Sequence, residues 1–102
     1  MELSIMDRIL LLNILPGEGD ITTIRIVRQL REDLSFSEQE HKDFGIVNEE
    51  NQIKWDPAKA QPKEVEFGPK VAKLVSKALK KLSDSDKLTT QYVDLYDRFV
   101  ED

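Results

Sequence analysis

The chain has 102 residues, of which 39% are apolar and 34% charged, with a formal net charge of −5. That length supports one domain built on a single core, without metal or disulfide staples. The absence of cysteine excludes disulfides and thiolate metal sites, a single histidine excludes a His-rich metal centre, and the acidic total argues against generic attraction to nucleic acid or anionic membrane.

Ser4 to Leu15 reads as the first helix. Ile5, Met6, Ile9, Leu10, Leu12 and Leu15 cover more than one face, which predicts a central position in the core. Asp7, Arg8 and Asn13 interrupt the apolar run far short of the roughly 20 residues that a membrane span needs. Acidic residues ahead of the run, and Pro16-Gly17-Glu18-Gly19-Asp20 after it, do not fit a signal peptide. The expectation is a buried helix of a cytoplasmic protein, with no membrane association. Asp20 suits the N-cap of a second helix from Ile21 to Leu34, with Ile24, Val27, Leu30 and Leu34 at helical spacing. Ser37 and Glu40 carry the spacing of a capping box, opening a short third helix that ends at Phe44-Gly45.

From Gly45 to Trp55 the pattern changes to alternation, which predicts a hairpin with its tip at Asn48-Glu49-Glu50-Asn51. A loop with Pro57 and Pro62 leads to a second alternating run, Glu64-Val65-Glu66-Phe67. Together these predict an antiparallel ribbon of two or three strands. Its apolar side (Ile53, Trp55, Val65, Phe67) should pack on the helices, because a lone hairpin is marginal in water. Gly68-Pro69 opens a fourth helix with proline at its first position and a stripe of Val71, Leu74, Val75, Ala78, Leu79 and Leu82. Asp84-Ser85-Asp86 breaks it. Leu88-Thr89 reads as the cap of a fifth helix, with Leu88 stapled onto Val93 and a buried face of Tyr92, Leu95 and Phe99, flanked by Tyr96 and Val100. The fold class is therefore α+β: one mainly helical domain over residues 1–102, about five helices with a small antiparallel β-ribbon between the third and fourth. The expected core holds Ile9, Leu12, Ile24, Val27, Leu30, Val71, Leu74, Val75, Leu79, Leu95 and Phe99.

The most site-like pattern is a row of lysines. Lys70, Lys73, Lys77 and Lys80 recur at i, i+3, i+7 and i+10, with Lys81 beside them, on one side of the fourth helix. Such a row suits phosphates or an acidic partner; the plain alternative is a solvated face whose cations favour the helix C-terminus. Glu32, Asp33, Glu38, Glu40, Asp43, Glu49 and Glu50 form an acidic counterpart, either a surface for a basic partner or solvated charges facing lysines. Exposed pairs of that kind contribute only ~0–1 kcal/mol each. Trp55 is either a core anchor or, if half-exposed, a binding hot spot. His41 lies among charges, and Asp84-Ser85-Asp86 lacks the other ligands of a calcium loop. No catalytic, metal or nucleotide motif stands out, so the reading is a non-enzyme with no cofactor and no catalytic or metal residues. A winged helix built from the first three helices and the hairpin would present an acidic helix and an acidic wing tip, which argues against nucleic acid.

Arg8 through Pro16, the Glu18-Gly19-Asp20 turn, and the helix running into Leu34-Ser35-Phe36-Ser37 resemble a set of small uncharacterised proteins of tailed phages and prophages. Glu64-Val65-Glu66-Phe67-Gly68 and Ala78-Leu79-Lys80-Lys81-Leu82 are similar to the same set. The resemblance spans most of the chain and rests on a helix-turn pattern. It implies a phage or prophage origin and action in the host bacterial cytoplasm, with no activity to carry over. The leading expectation is a small protein–protein interaction module bound through Lys70, Lys73, Lys77, Lys80, Lys81 and Trp55. Self-association remains open, because helices one and five offer broad apolar surface. The rival is a nucleic-acid binder, winged-helix-like or acting through the lysine face; an enzyme subunit is a weaker third.

Overall fold

Three side-chain caps set where the first three helices begin. In the computed structural model, which describes residues 1–100, Ser4 Oγ accepts from the Asp7 amide at 3.0 Å and the Asp7 carboxylate in turn accepts from the Ser4 amide at 3.0 Å. This reciprocal box starts α1 (Ile5–Ile14). Asp20 Oδ1 accepts from the Thr23 amide at 2.8 Å and opens α2 (Ile21–Leu34). The Ser37–Glu40 box opens α3 (Glu38–Phe44), which Gly45 ends in the left-handed region at φ 63°. After the strands, α4 (Pro69–Asp84) begins with proline in its first turn. A short 3₁₀ turn (Thr90–Tyr92) runs directly into α5 (Val93–Phe99).

The α+β class holds, with five helices and an antiparallel hairpin between α3 and α4. The second alternating run does not join that hairpin, and the described residues form two separate antiparallel pairs. One is the hairpin of β2 (Val47–Glu49) and β3 (Gln52–Lys54), closed by Glu50 and Asn51 at φ 48° and 65°, as a primed two-residue turn requires. The other joins β1 (Glu2–Leu3) to β4 (Lys63–Glu64), with Leu3 opposite Lys63. At two residues, β1 is too short to leave a periodic signal. Of the expected packing face, Val65, Phe67 and Trp55 do meet the two apolar clusters, but Ile53 in the hairpin itself does not. Val47 is 47% and Ile53 40% exposed. The register explains this: Ile53 stands opposite Asn48, whereas Val47 stands opposite Lys54, one position along. The two apolar side chains therefore point to opposite faces, and neither face is apolar enough to bury.

The main core joins Leu3, Leu10, Leu11 and Leu15 to Val27, Leu30 and Leu34 of α2, Val65 after β4, Val75 and Leu79 of α4, and Leu95, Phe99 and Val100. Phe67 meets Phe99 edge-on, with ring centroids 4.9 Å apart. Of the expected core, Ile9, Leu12, Ile24, Val71 and Leu74 are only half-buried. A second, smaller cluster of Ile5, Phe44 and Ile46 takes in Ile9, Phe36, Ala60 and Trp55, so α1 feeds two clusters at once. Met6 is the large apolar residue that α1 leaves exposed. Leu12 and Ile14 of the same helix are half-buried. The expected Leu88–Val93 staple is also absent: Leu88 packs on the main core while Val93 is 49% exposed. The intervening 3₁₀ turn winds more tightly than an α-helix and rotates Val93 outward. No helix among the described residues is long and apolar enough to cross a membrane.

Arg8, which reads in the sequence as an interruption of the apolar run, is fully buried. Its Nε donates to the Leu34 carbonyl at 3.0 Å and Nη2 to the Ser35 carbonyl at 2.6 Å. The guanidinium also forms a fork with Glu40, at 2.5 and 3.1 Å, and lies 4.1 Å over the Phe36 ring centroid. Lys63 Nζ donates to the Asp33 carbonyl at 2.8 Å. Helix α2 ends without glycine at an extended Ser35, and two cations from elsewhere answer its last carbonyls.

Candidate functional site

Leu74, Ala78 and Leu82 follow one another at four-residue spacing and form a row along α4. The sequence pattern groups them with Val75 and Leu79, but only those two are fully buried; the row is half-buried. It forms the floor of a groove of about 760 Å³ between α4, the junction of α1 and α2, and the turn that follows α4. Ile14 of α1, Ile26 of α2 and Tyr92 of the 3₁₀ turn complete the floor. Each of these three side chains is half-buried as well. The Tyr92 hydroxyl donates to the Leu10 carbonyl at 3.3 Å, which fixes the ring at one end. Burial pushes the Tyr92 phenol above its ordinary pKa, so it stays neutral.

Lys70, Lys73, Lys77 and Lys81 line this floor along α4, joined by Lys87 from the turn beyond. Five of the chain's 15 basic residues thus meet one apolar groove, whose lining includes a single acid, Glu18. None of the five ammonium groups is in an ion pair with another described residue; the ion pairs lie elsewhere. Lys80, grouped with this row by spacing, is not part of the lining. It lies about 160° round the helix from Ala78, some 20° farther than Lys73, at the outer edge of the same flank. The working row is i, i+3, i+7 and i+11, not i, i+3, i+7 and i+10.

The other candidates fall elsewhere. Trp55 is half-buried against the Ile5–Phe44–Ile46 cluster and takes no part in the groove. Glu40 belongs to the Arg8 clamp. Hydrogen bonds from Arg8 hold its carboxyl at about 2, burial opposes this, and the Ser37 amide and the charges of Arg8 and Lys63 add to the lowering. Of the remaining acids, Glu49 meets Lys54 at 3.4 Å with both side chains mostly exposed. Asp33 and Asp43 accept from Gln29 and Gln39 one helical turn away. Glu49 and Asp43 are solvated, whereas Asp33 is half-buried. His41 is exposed, and no cluster of three or more His, Asp or Glu suited to a metal ion occurs among the described residues. A smaller hollow of about 270 Å³ on α2 and α4 mixes Arg25 with Asp33 and Glu66 and has no dominant sign.

The lysine spacing alone announced one rim of the groove. Its floor and Lys87 were missed because Ile14, Ile26 and Tyr92 come from three other elements, and helical periodicity does not separate half-buried from buried positions. Chemically, the groove can hold an apolar body that carries negative charge along one side. Comparison of the chain with protein-family models, with curated proteins and with solved structures gives no match.

Proposed function

We propose that this chain is a non-enzymatic protein-interaction module, of phage or prophage origin, that docks another protein in the host bacterial cytoplasm through the groove on α4. The observation that supports this most directly is the coincidence, in one groove of an otherwise acidic chain, of an apolar floor with five lysines that form no ion pair with another described residue. A protein segment can satisfy both features at once, through its apolar side chains and its carboxylates. Phosphate recognition would use the lysines and leave the floor idle, which places nucleic acid second. The phage origin rests on the resemblance of the helix-turn segments described above.

Affinity capture from bacterial extract tests the reading with two variants. Triple reversal of Lys73, Lys77 and Lys81 to Glu is expected to release the captured protein, and Lys80→Glu to retain it, because Lys80 lies off the groove. A partner held equally by both variants would leave the lysine row as a solvated face. Gel shifts with random DNA and RNA at low salt address the second reading; binding that matches the captured protein in strength would promote it.

A further inference from the structure

We infer that the occupant of the groove is an amphipathic α-helix of about three turns from a partner protein, apolar where it meets the floor and acidic along the flank that meets α4. This inference rests on the protein-docking reading above and specifies the partner. The length follows from the lysine row: Lys70 and Lys81 lie eleven steps apart on α4, about 16 Å at 1.5 Å per residue.

The backbone of the occupant follows from what the groove lacks. Neither β-pair contributes to its lining, which comes from α1, α2, α4 and their connections. An extended segment would find no sheet edge to pair with and would lay unpaired amides and carbonyls over apolar side chains. A helix satisfies its own backbone and presents only side chains. The floor is also shaped for one: Ala78 is a notch between Leu74 and Leu82 along the α4 row, where a large apolar knob from a facing helix can seat. The charge is one-sided. The α4 flank carries Lys70, Lys73, Lys77 and Lys81, whereas Asn13, Glu18 and Thr23 from α1, α2 and their junction also line the groove. Carboxylates spaced by three and four residues on the occupant match this row.

The test uses the full chain and a hydrocarbon-stapled probe peptide of about three turns, with leucines on one face and glutamates on one flank. Binding is read by fluorescence anisotropy and located by amide shifts in ¹H–¹⁵N spectra. Expected are shifts centred on Leu74, Ala78, Leu82 and Tyr92, and a loss of affinity of about tenfold or more for the Lys73→Glu/Lys77→Glu variant. Ala78→Leu, which fills the notch, should weaken binding to a similar extent while keeping the circular dichroism of the parent; Ala78→Met repeats the test with a more adaptable side chain. Lys80→Glu should change affinity less than twofold. A peptide with lysines in place of the glutamates should not bind. Equal binding by a scrambled, non-helical peptide of the same composition would overturn the helical occupant and leave the docking reading intact. Binding of an oligothymidylate or of anionic phosphatidylglycerol vesicles at the groove, with no binding of any peptide, would overturn both. Absence of peptide binding with every probe likewise sinks the inference.

Discussion

Arg8 and the lysines of α4 carry the same charge and have opposite fates. Arg8 is completely buried, donates to two backbone carbonyls and a carboxylate, and stacks on an aromatic ring. The five groove lysines sit beside half-buried apolar side chains and hold no ion-pair partner among the described residues. A buried cation survives only where partners replace its lost hydration, so the place of Arg8 is dictated by the fold. Apart from the favourable place of Lys81 in the last turn of α4, no bond among the described residues uses the lysines. Their clustering brings mutual repulsion, which is small in water but not zero, and no ion pair among the described residues offsets it. One region shows charge consumed by structure, the other charge that pairs with no described residue.

The sharpest way to break this contrast is to remove Arg8. Arg8→Met keeps the apolar stem but leaves the Leu34 and Ser35 carbonyls unanswered and Glu40 unpaired. Breaking one side of a buried pair costs about 3–5 kcal/mol, a loss that urea denaturation measures directly. Arg8→Lys should recover only part of it, because one ammonium group cannot reproduce the fork to Glu40 together with two carbonyl bonds. A cost below about 1 kcal/mol for Arg8→Met would place Arg8 with the surface charges and remove the distinction.

The two regions were unequally legible in the sequence. The lysine row announces itself because its members share one helix and its period. Arg8 does not, because its partners lie 26 to 32 residues away and two of them are backbone carbonyls. The Ser37–Glu40 spacing is visible and does form a capping box, but nothing local says that the same Glu40 also closes on Arg8. The caps at Asp20 and Ser37 and the left-handed Gly45 are local devices, and each stands where the spacing predicts. Long-range features escaped. The pairing of Leu3 with Lys63 joins two-residue strands far apart in the chain, and the opposite facing of Val47 and Ile53 depends on a register that no single strand reveals.

A smaller effect should appear in the pH dependence of stability. The Glu40 carboxyl is lowered from an ordinary value of 4.5 to about 2, chiefly by hydrogen bonds from Arg8. Its folded-state value lies below the unfolded one, so the clamp's contribution is fully present above about pH 4.5 and is lost as pH falls through about 2. With solvent screening at the partly open side of the pair, the loss should be about 1–2 kcal/mol. Urea midpoints between neutral and acid pH measure it. Glu40→Gln should lower stability at neutral pH and flatten this part of the profile. An unchanged slope in Glu40→Gln would mean that other carboxylates govern acid sensitivity and that the clamp is electrostatically idle.

The smallest expected effect tests the other half of the contrast most directly. If the groove lysines serve no purpose in the fold, reversing one of them should not weaken it. Lys77→Glu places a carboxylate between Lys73 and Lys81, each four residues away, and so exchanges two repulsive neighbours for two attractive ones on the same helix face. The variant should therefore be as stable as the parent or up to about 0.5 kcal/mol more stable. The gain should fade as added salt shortens the screening length to about 3 Å near 1 M. Thermal melts at low and high salt separate this from a packing effect, which salt would not remove. A loss above about 1 kcal/mol would show that Lys77 is held by the fold after all. A gain at low salt would show the opposite: the folded chain tolerates repulsion at this position that a single substitution relieves, as expected where the charge serves a partner and not the structure.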